Sequence, residues 1–127
     1  MSRRFRTETF SGAGGLHEYL ASVRDKPFRL GRHDCARLAA GAVAAQTGWI
    51  IAVPRRRGPV DLVTEVDRLL PRCAHVPPPG GIVASPDGPP FGWRLGVVVS
   101  DRAAFVGRDG LVFHRLRPDA EIYWSVR

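Results

Sequence analysis

What most limits the folds open to this chain is a change of hydrophobic period near its middle, at about Pro71. Before that point apolar residues recur at helical spacing. Beyond it they alternate in short runs punctuated by turn residues. Leu16, Tyr19, Leu20 and Val23 follow the i, i+3, i+4, i+7 pattern behind a flexible Ser11-Gly12-Ala13-Gly14-Gly15 lead, and Pro27 stops that helix. A second helix is expected from about Cys35, with Asp34 as N-cap, through Leu38, Ala39, Ala42 and Val43 to a stop at Gly48. Its small residues predict close packing as the central helix, with Trp49 plugging its end. Pro54 and Arg55-Arg56-Arg57 read as a loop. Pro59 suits the first turn of a third helix, whose stripe is Leu62, Val63, Val66, Leu69 and Leu70 before Pro71.

The second half reads as strands at 82–84, 94–99, 103–106, 111–116 and 121–126, separated by Pro- and Gly-rich segments or by Ser100-Asp101-Arg102, Gly107-Arg108-Asp109-Gly110 and Pro118-Asp119. Connections this short make antiparallel neighbours, so the expected sheet is a meander. Helices first and a small antiparallel sheet afterwards define an α+β domain. The 127 residues suffice for one domain with one core, spanning 1–127, with 1–14 a flexible or partner-bound arm.

Charge narrows the partners. The formal net charge is +7, and Lys26 is the sole lysine among 19 basic residues. Arginine in place of lysine, with much Ala, Gly and Pro, fits a GC-rich coding bias. The excess predicts attraction to polyanions such as nucleic acid, anionic cell-wall polymers or an acidic partner surface, but no nucleic-acid reader motif accompanies it, so no specific nucleic-acid binding is expected. The basic N-terminus lacks a signal peptide's apolar stretch, and no apolar run approaches the ~20 residues of a membrane span. The expectation is a soluble product made in the bacterial cytoplasm, with free thiols.

Cys35 is the leading site candidate. Amides at a helix start favour a thiolate, and Gly31 leaves space beside the sulfur. The plainer alternative is a small buried cysteine behind an Asp-capped helix. Catalysis by Cys35 would also need a base. His33 is held too close by the helix start, His17 lies on the polar side of the first helix, and His75 is in a Pro-rich loop. His114 remains, on a strand where it shares a face with Val112 while Leu111, Phe113 and Arg115 share the other; it too has a plain reading, as a surface or partly buried sheet histidine. A mirrored pair, His33-x-Cys35 and Cys73-x-His75, supplies four zinc-type ligands at tighter spacing than usual, a minor alternative. Otherwise no cofactor is expected. Trp93, Phe105, Phe113, Tyr123 and Trp124 fall on the sheet as core or interface filler.

Phe28, Gly31, Asp34, Cys35 and Leu38 resemble the opening of the NlpC-type cell-wall cysteine peptidases, a papain-like family in which Asp-Cys begins a helix of small residues. Gly81-Ile82-Val83, Leu95-Gly96-Val97-Val98 and Ala104-Phe105-Val106 follow in a similar order. The whole chain also looks like a small uncharacterised family found among tail genes of phages and gene-transfer-agent-like elements; Asp109-Gly110-Leu111 and Trp124 are among the shared features. This likeness covers roughly residues 16–127, and only the segment around Cys35 is specific. It implies an NlpC-like fold and a place in the virion tail. If active, the protein would be a thiol amidohydrolase on peptidoglycan peptides, with Cys35 as nucleophile, His114 as base and amides beside Asp34 and Cys35 holding the oxyanion. The positions matching the family's catalytic His and second polar residue are Arg94 and Val106, neither a base. That departure favours a tail-tip assembly role, with other tail proteins as partners.

Overall fold

The computed structural model describes residues 12–30, 32–53, 62–88 and 92–126. Three helices come first: α1 (Gly12–Val23), α2 (Cys35–Thr47) and α3 (Leu62–Asp67). Six strands follow: β1 (Arg72–Cys73), β2 (Ile82–Gly88), β3 (Gly92–Val99), β4 (Arg102–Gly107), β5 (Gly110–Arg115) and β6 (Ile122–Trp124). The α+β class expected from the change of period is the class observed. Residues 1–11, the arginine triplet and Pro59 lie outside the described residues.

Asp34 starts α2 from an extended backbone (φ −129°, ψ 179°), its carboxylate accepting the Arg37 N–H at 3.0 Å. Gly48 ends the helix in the left-handed region (φ 79°), its N–H donating to the Ala44 carbonyl at 2.8 Å. Between the caps, Leu38, Ala39, Ala42 and Val43 are buried against the sheet. Gly41 lets α1 approach, because a Cβ there would run into the Tyr19 ring. The Tyr19 hydroxyl donates to the Leu38 carbonyl at 3.2 Å, and burial pushes its pKa up to about 12.

The helix α1 begins at Gly12, so the glycine-rich segment read as a lead partly belongs to it. Two other expectations are corrected. Trp49 is 60% exposed and plugs nothing, and Leu69, at 46%, falls outside the core stripe of α3. Both sit where the chain leaves a helix, so the periodicity no longer governs which way they point.

The sheet order is β1-β6-β2-β3-β4-β5, antiparallel throughout. Strands β2 to β5 form the expected meander, but β6 does not continue it. It crosses to the far side and inserts between β1 and β2, pairing Ile82 with Trp124 and Ala84 with Ile122. The two-residue β1, unforeseen in the sequence, pairs with its outer side. The physical reason lies in burial. Most of β5 is exposed, so a strand docked beside it would leave Trp124 and Tyr123 wet. Next to β2 they become 0% and 4% exposed.

Alternation divides the sheet into two faces. Ile82, Ala84, Leu95, Val97 and Trp124 meet the three helices on one face. Val83, Val98, Ala103, Phe105 and Tyr123 form a smaller cluster on the other. The β5–β6 connection crosses that second face. Leu116 packs on the cluster, and an Arg117 Nη donates to the Ser85 hydroxyl at 2.7 Å. Glu121, its side chain 2% exposed, accepts the Arg117 N–H at 2.7 Å and the Tyr123 hydroxyl at 2.9 Å. Burial and that carboxylate together raise the Tyr123 pKa. At the opposite edge, the indole N–H of Trp124 donates to Asp67 at 2.9 Å. Arg72 and Trp124 hold the Asp67 carboxyl down to a pKa of about 2.

Candidate functional site

The site suggested by the sequence begins where α2 begins. The segment entering it is anchored to the β4–β5 hairpin: the Leu111 N–H donates to the Arg24 carbonyl at 2.8 Å, and the Phe28 N–H to the Gly107 carbonyl at 3.0 Å. Reciprocal bonds between Arg29 and His33, at 2.8 and 2.7 Å, then fold the chain tightly back. At the other end of α2, an amide N–H of Gln46 reaches the Gly80 carbonyl at 2.9 Å. The helix therefore runs from the end of the sheet marked by Gly107 toward the end marked by Gly80. Cys35 lies at the first of these, half-buried and packed on the helix-side core.

Asp34 is committed to structure. One carboxylate oxygen caps the helix, and the other accepts from Arg37 Nη1 at 2.8 Å. The second Arg37 nitrogen reaches across to the Val53 carbonyl at 2.9 Å, so Asp34 ties the helix start to the chain beyond Gly48. The carboxylate meets its own helix and an arginine, the role of a cap more than of an orienter.

His114 lies on the opposite side of the sheet from α2. It pairs with Ala103 across β4–β5, and its ring is tilted against Phe105 at 5.9 Å between centroids. Ala103 and Phe105 both belong to the second-face cluster, whereas Cys35 packs on the helix-side core. The sheet thus stands between the thiol and the imidazole. The Val112 and His114 face, and the opposite Leu111, Phe113 and Arg115 face, follow the alternation expected. Phe113, at 46%, is an exposed aromatic and not core.

The mirrored zinc pair does not assemble, which corrects that minor alternative. Cys73 pairs with Tyr123 and packs on the second face, on the other side of the sheet from Cys35, and His75 is exposed. Among the described residues no group of three His, Cys, Asp or Glu side chains could hold a metal ion. His17 is exposed on α1, as its helix position suggested.

His33 is the histidine that sequence reasoning set aside and the structure returns. It is only 8% exposed, and its Nε2 is buried without a hydrogen-bond partner. Burial lowers its pKa, Lys26 adds to the effect and Asp34 partly opposes it, which favours the neutral ring. The extended backbone of Asp34 directs residues 33 and 35 to one side of the chain. Proximity in sequence argued against a pair, and only the extended cap geometry makes one sterically reasonable.

The two positions matching the peptidase polar residues also part company. Arg94 is on the second face, its guanidinium 4.2 Å above the Phe105 ring. Val106 packs on the helix-side core, as do Trp93 and Leu111. The helix face of the sheet is therefore apolar at the end where Cys35 sits. A separate recess between α2, α3 and the sheet is lined by Ala36, Ala40, Val43, Val66, Leu70 and Leu95 among others; among the described residues Glu65 is its one charged lining residue, and no nucleophile lines it.

Residues 13–72 match a family described only as a domain of unknown function, DUF6950. The match runs from within α1 to the first residue of β1, includes Cys35, and stops short of half the chain. No curated protein and no solved structure matches the chain.

Proposed function

We propose that this protein is a tail-associated assembly component of a phage or gene-transfer-agent-like particle. It would have an NlpC-like, papain-like fold in which Cys35 is kept as the start of the central helix and no longer as a nucleophile. One observation carries the reading. The strand histidine that could have served Cys35, His114, lies across the sheet from it, and the helix-side positions of β3, β4 and β5 nearest Cys35 are apolar. Acyl transfer by a thiol needs a base beside it, and His114 does not supply one from across the sheet. The tail assignment rests on the likeness around Gly31, Asp34 and Cys35 and on the arginine-rich composition. No helix among the described residues is long and apolar enough to cross a membrane.

The test pairs chemistry with assembly. Purified protein should show no turnover of muropeptides, and particles lacking the gene should have defective tails that a Cys35→Ser copy restores. Muropeptide cleavage abolished by Cys35→Ser, or normal tails without the protein, would overturn the reading.

A second reading, a thiol amidohydrolase on peptidoglycan peptides, is favoured by the buried, unpartnered Nε2 of His33 beside the helix start. In that case His33→Ala should abolish turnover and His114→Ala should spare it.

A further inference from the structure

On the second face the cross-strand neighbours Ser85 and Arg94 lie beside the β5–β6 connection. The Phe105 ring lies flat against the backbone of Gly96, where any Cβ would collide with it. The Arg94 guanidinium rests 4.2 Å above that ring. Its Nε is buried with no hydrogen-bond partner, and no acidic side chain pairs with it among the described residues. Among the described residues this cation has gained only an aromatic face in return for part of its hydration, an imbalance that an anion would reduce. Arg117 stands alongside, held by its 2.7 Å bond to the Ser85 hydroxyl. Glu121 offsets one of the two charges: its carboxylate is 3.9 Å from Arg117 Nε and already accepts an N–H and a phenol. The cluster carries one net positive charge and suits a single monoanion.

We propose that Arg94, on the Phe105 platform, and Arg117, held by the Ser85 hydroxyl, form a carboxylate-binding clamp for an acidic side chain of a partner protein. The partner part of the claim rests on the assembly reading above. A carboxylate is favoured over a nucleic-acid phosphodiester because Glu121, Asp119 and Asp101 border the same connection and would repel a chain of successive phosphates.

The folded protein is titrated separately with acetate and with dimethyl phosphate at fixed ionic strength, following the amide NMR signals of Ser85, Arg94 and Gly96. Acetate should give saturable shifts at millimolar concentrations. Arg94→Gln should weaken them about tenfold and Arg94→Lys less, because lysine restores charge without the planar fork. Arg68→Gln, in the exposed turn after α3, should leave them unchanged. Circular dichroism checks that each variant is folded. Absence of saturation, equal binding by Arg94→Gln, or saturation by dimethyl phosphate alone overturns the clamp. Tail assembly with Arg94→Gln tests the partner claim separately. Defective tails support it, whereas normal tails with acetate binding lost in the variant reject the partner role and leave the clamp standing.

Discussion

Replacing Asp34 by alanine removes a helix cap and an ion pair at the start of α2, and their sizes can be worked out separately. The first is the cap, the 3.0 Å bond from the Arg37 N–H, whose loss costs about 1 kcal/mol. The second is the 2.8 Å pair with Arg37, in which the side chains are 9% and 21% exposed. That burial lies between the surface case, worth under about 1 kcal/mol, and the fully buried case, about 3–5 kcal/mol when one partner is deleted. Arg37 keeps its bond to the Val53 carbonyl, which limits the damage, so about 1–2 kcal/mol is expected. Asp34→Ala should therefore lose about 2–3 kcal/mol, while Asp34→Asn, which retains a capping oxygen, should lose about 1–2 kcal/mol. For a chain of this size the alanine variant should melt roughly 8–12 °C lower. Urea unfolding followed by tryptophan fluorescence reads both values, and a cycle with Arg37→Ala isolates the pair. Equal losses for alanine and asparagine would refute the separate cap contribution. A loss below about 0.5 kcal/mol for alanine would refute the whole account.

Stability should also fall in acid through two separable windows. His33 has its pKa lowered from 6.5, so the fold binds its proton less readily than the unfolded chain does; its contribution is complete above about pH 6.5 and fades as pH falls through the lower folded value. His33→Gln should flatten that window, and an unchanged pH profile would contradict it. Asp67 is depressed to about 2 from 3.8, so its contribution is present above about pH 4 and fades toward pH 2; Asp67→Asn should remove that lower step in acid titrations. Gly41→Ala should destabilise the protein by about 1–3 kcal/mol despite alanine's better helix propensity, because the methyl meets the Tyr19 ring. The loss should shrink in a Tyr19→Leu background, and additive losses in the double variant would discount the contact.

The local parts of the fold are legible in the sequence. Asp34 and Gly48 place both ends of α2 because capping chemistry acts over three or four residues. Leu16 and Val23, or Val83 and Val98, reveal their burial because period alone dictates which side of an element they occupy. Cys35 was legible as a helix-start cysteine for the same reason. The place of β6 is set by long-range packing, because a strand's sequence encodes two faces and not its neighbours. That packing also put Cys35 and Cys73 on opposite sides of the sheet, and left His114 facing Phe105 and not the thiol. Alternation had shown that His114 and Val112 share a face. Which face meets α2 is set by the packing of helices on the sheet, a contact between residues far apart in the chain. The same long-range packing left Arg94 on an aromatic ring with a buried nitrogen and, among the described residues, no acidic side chain paired with it.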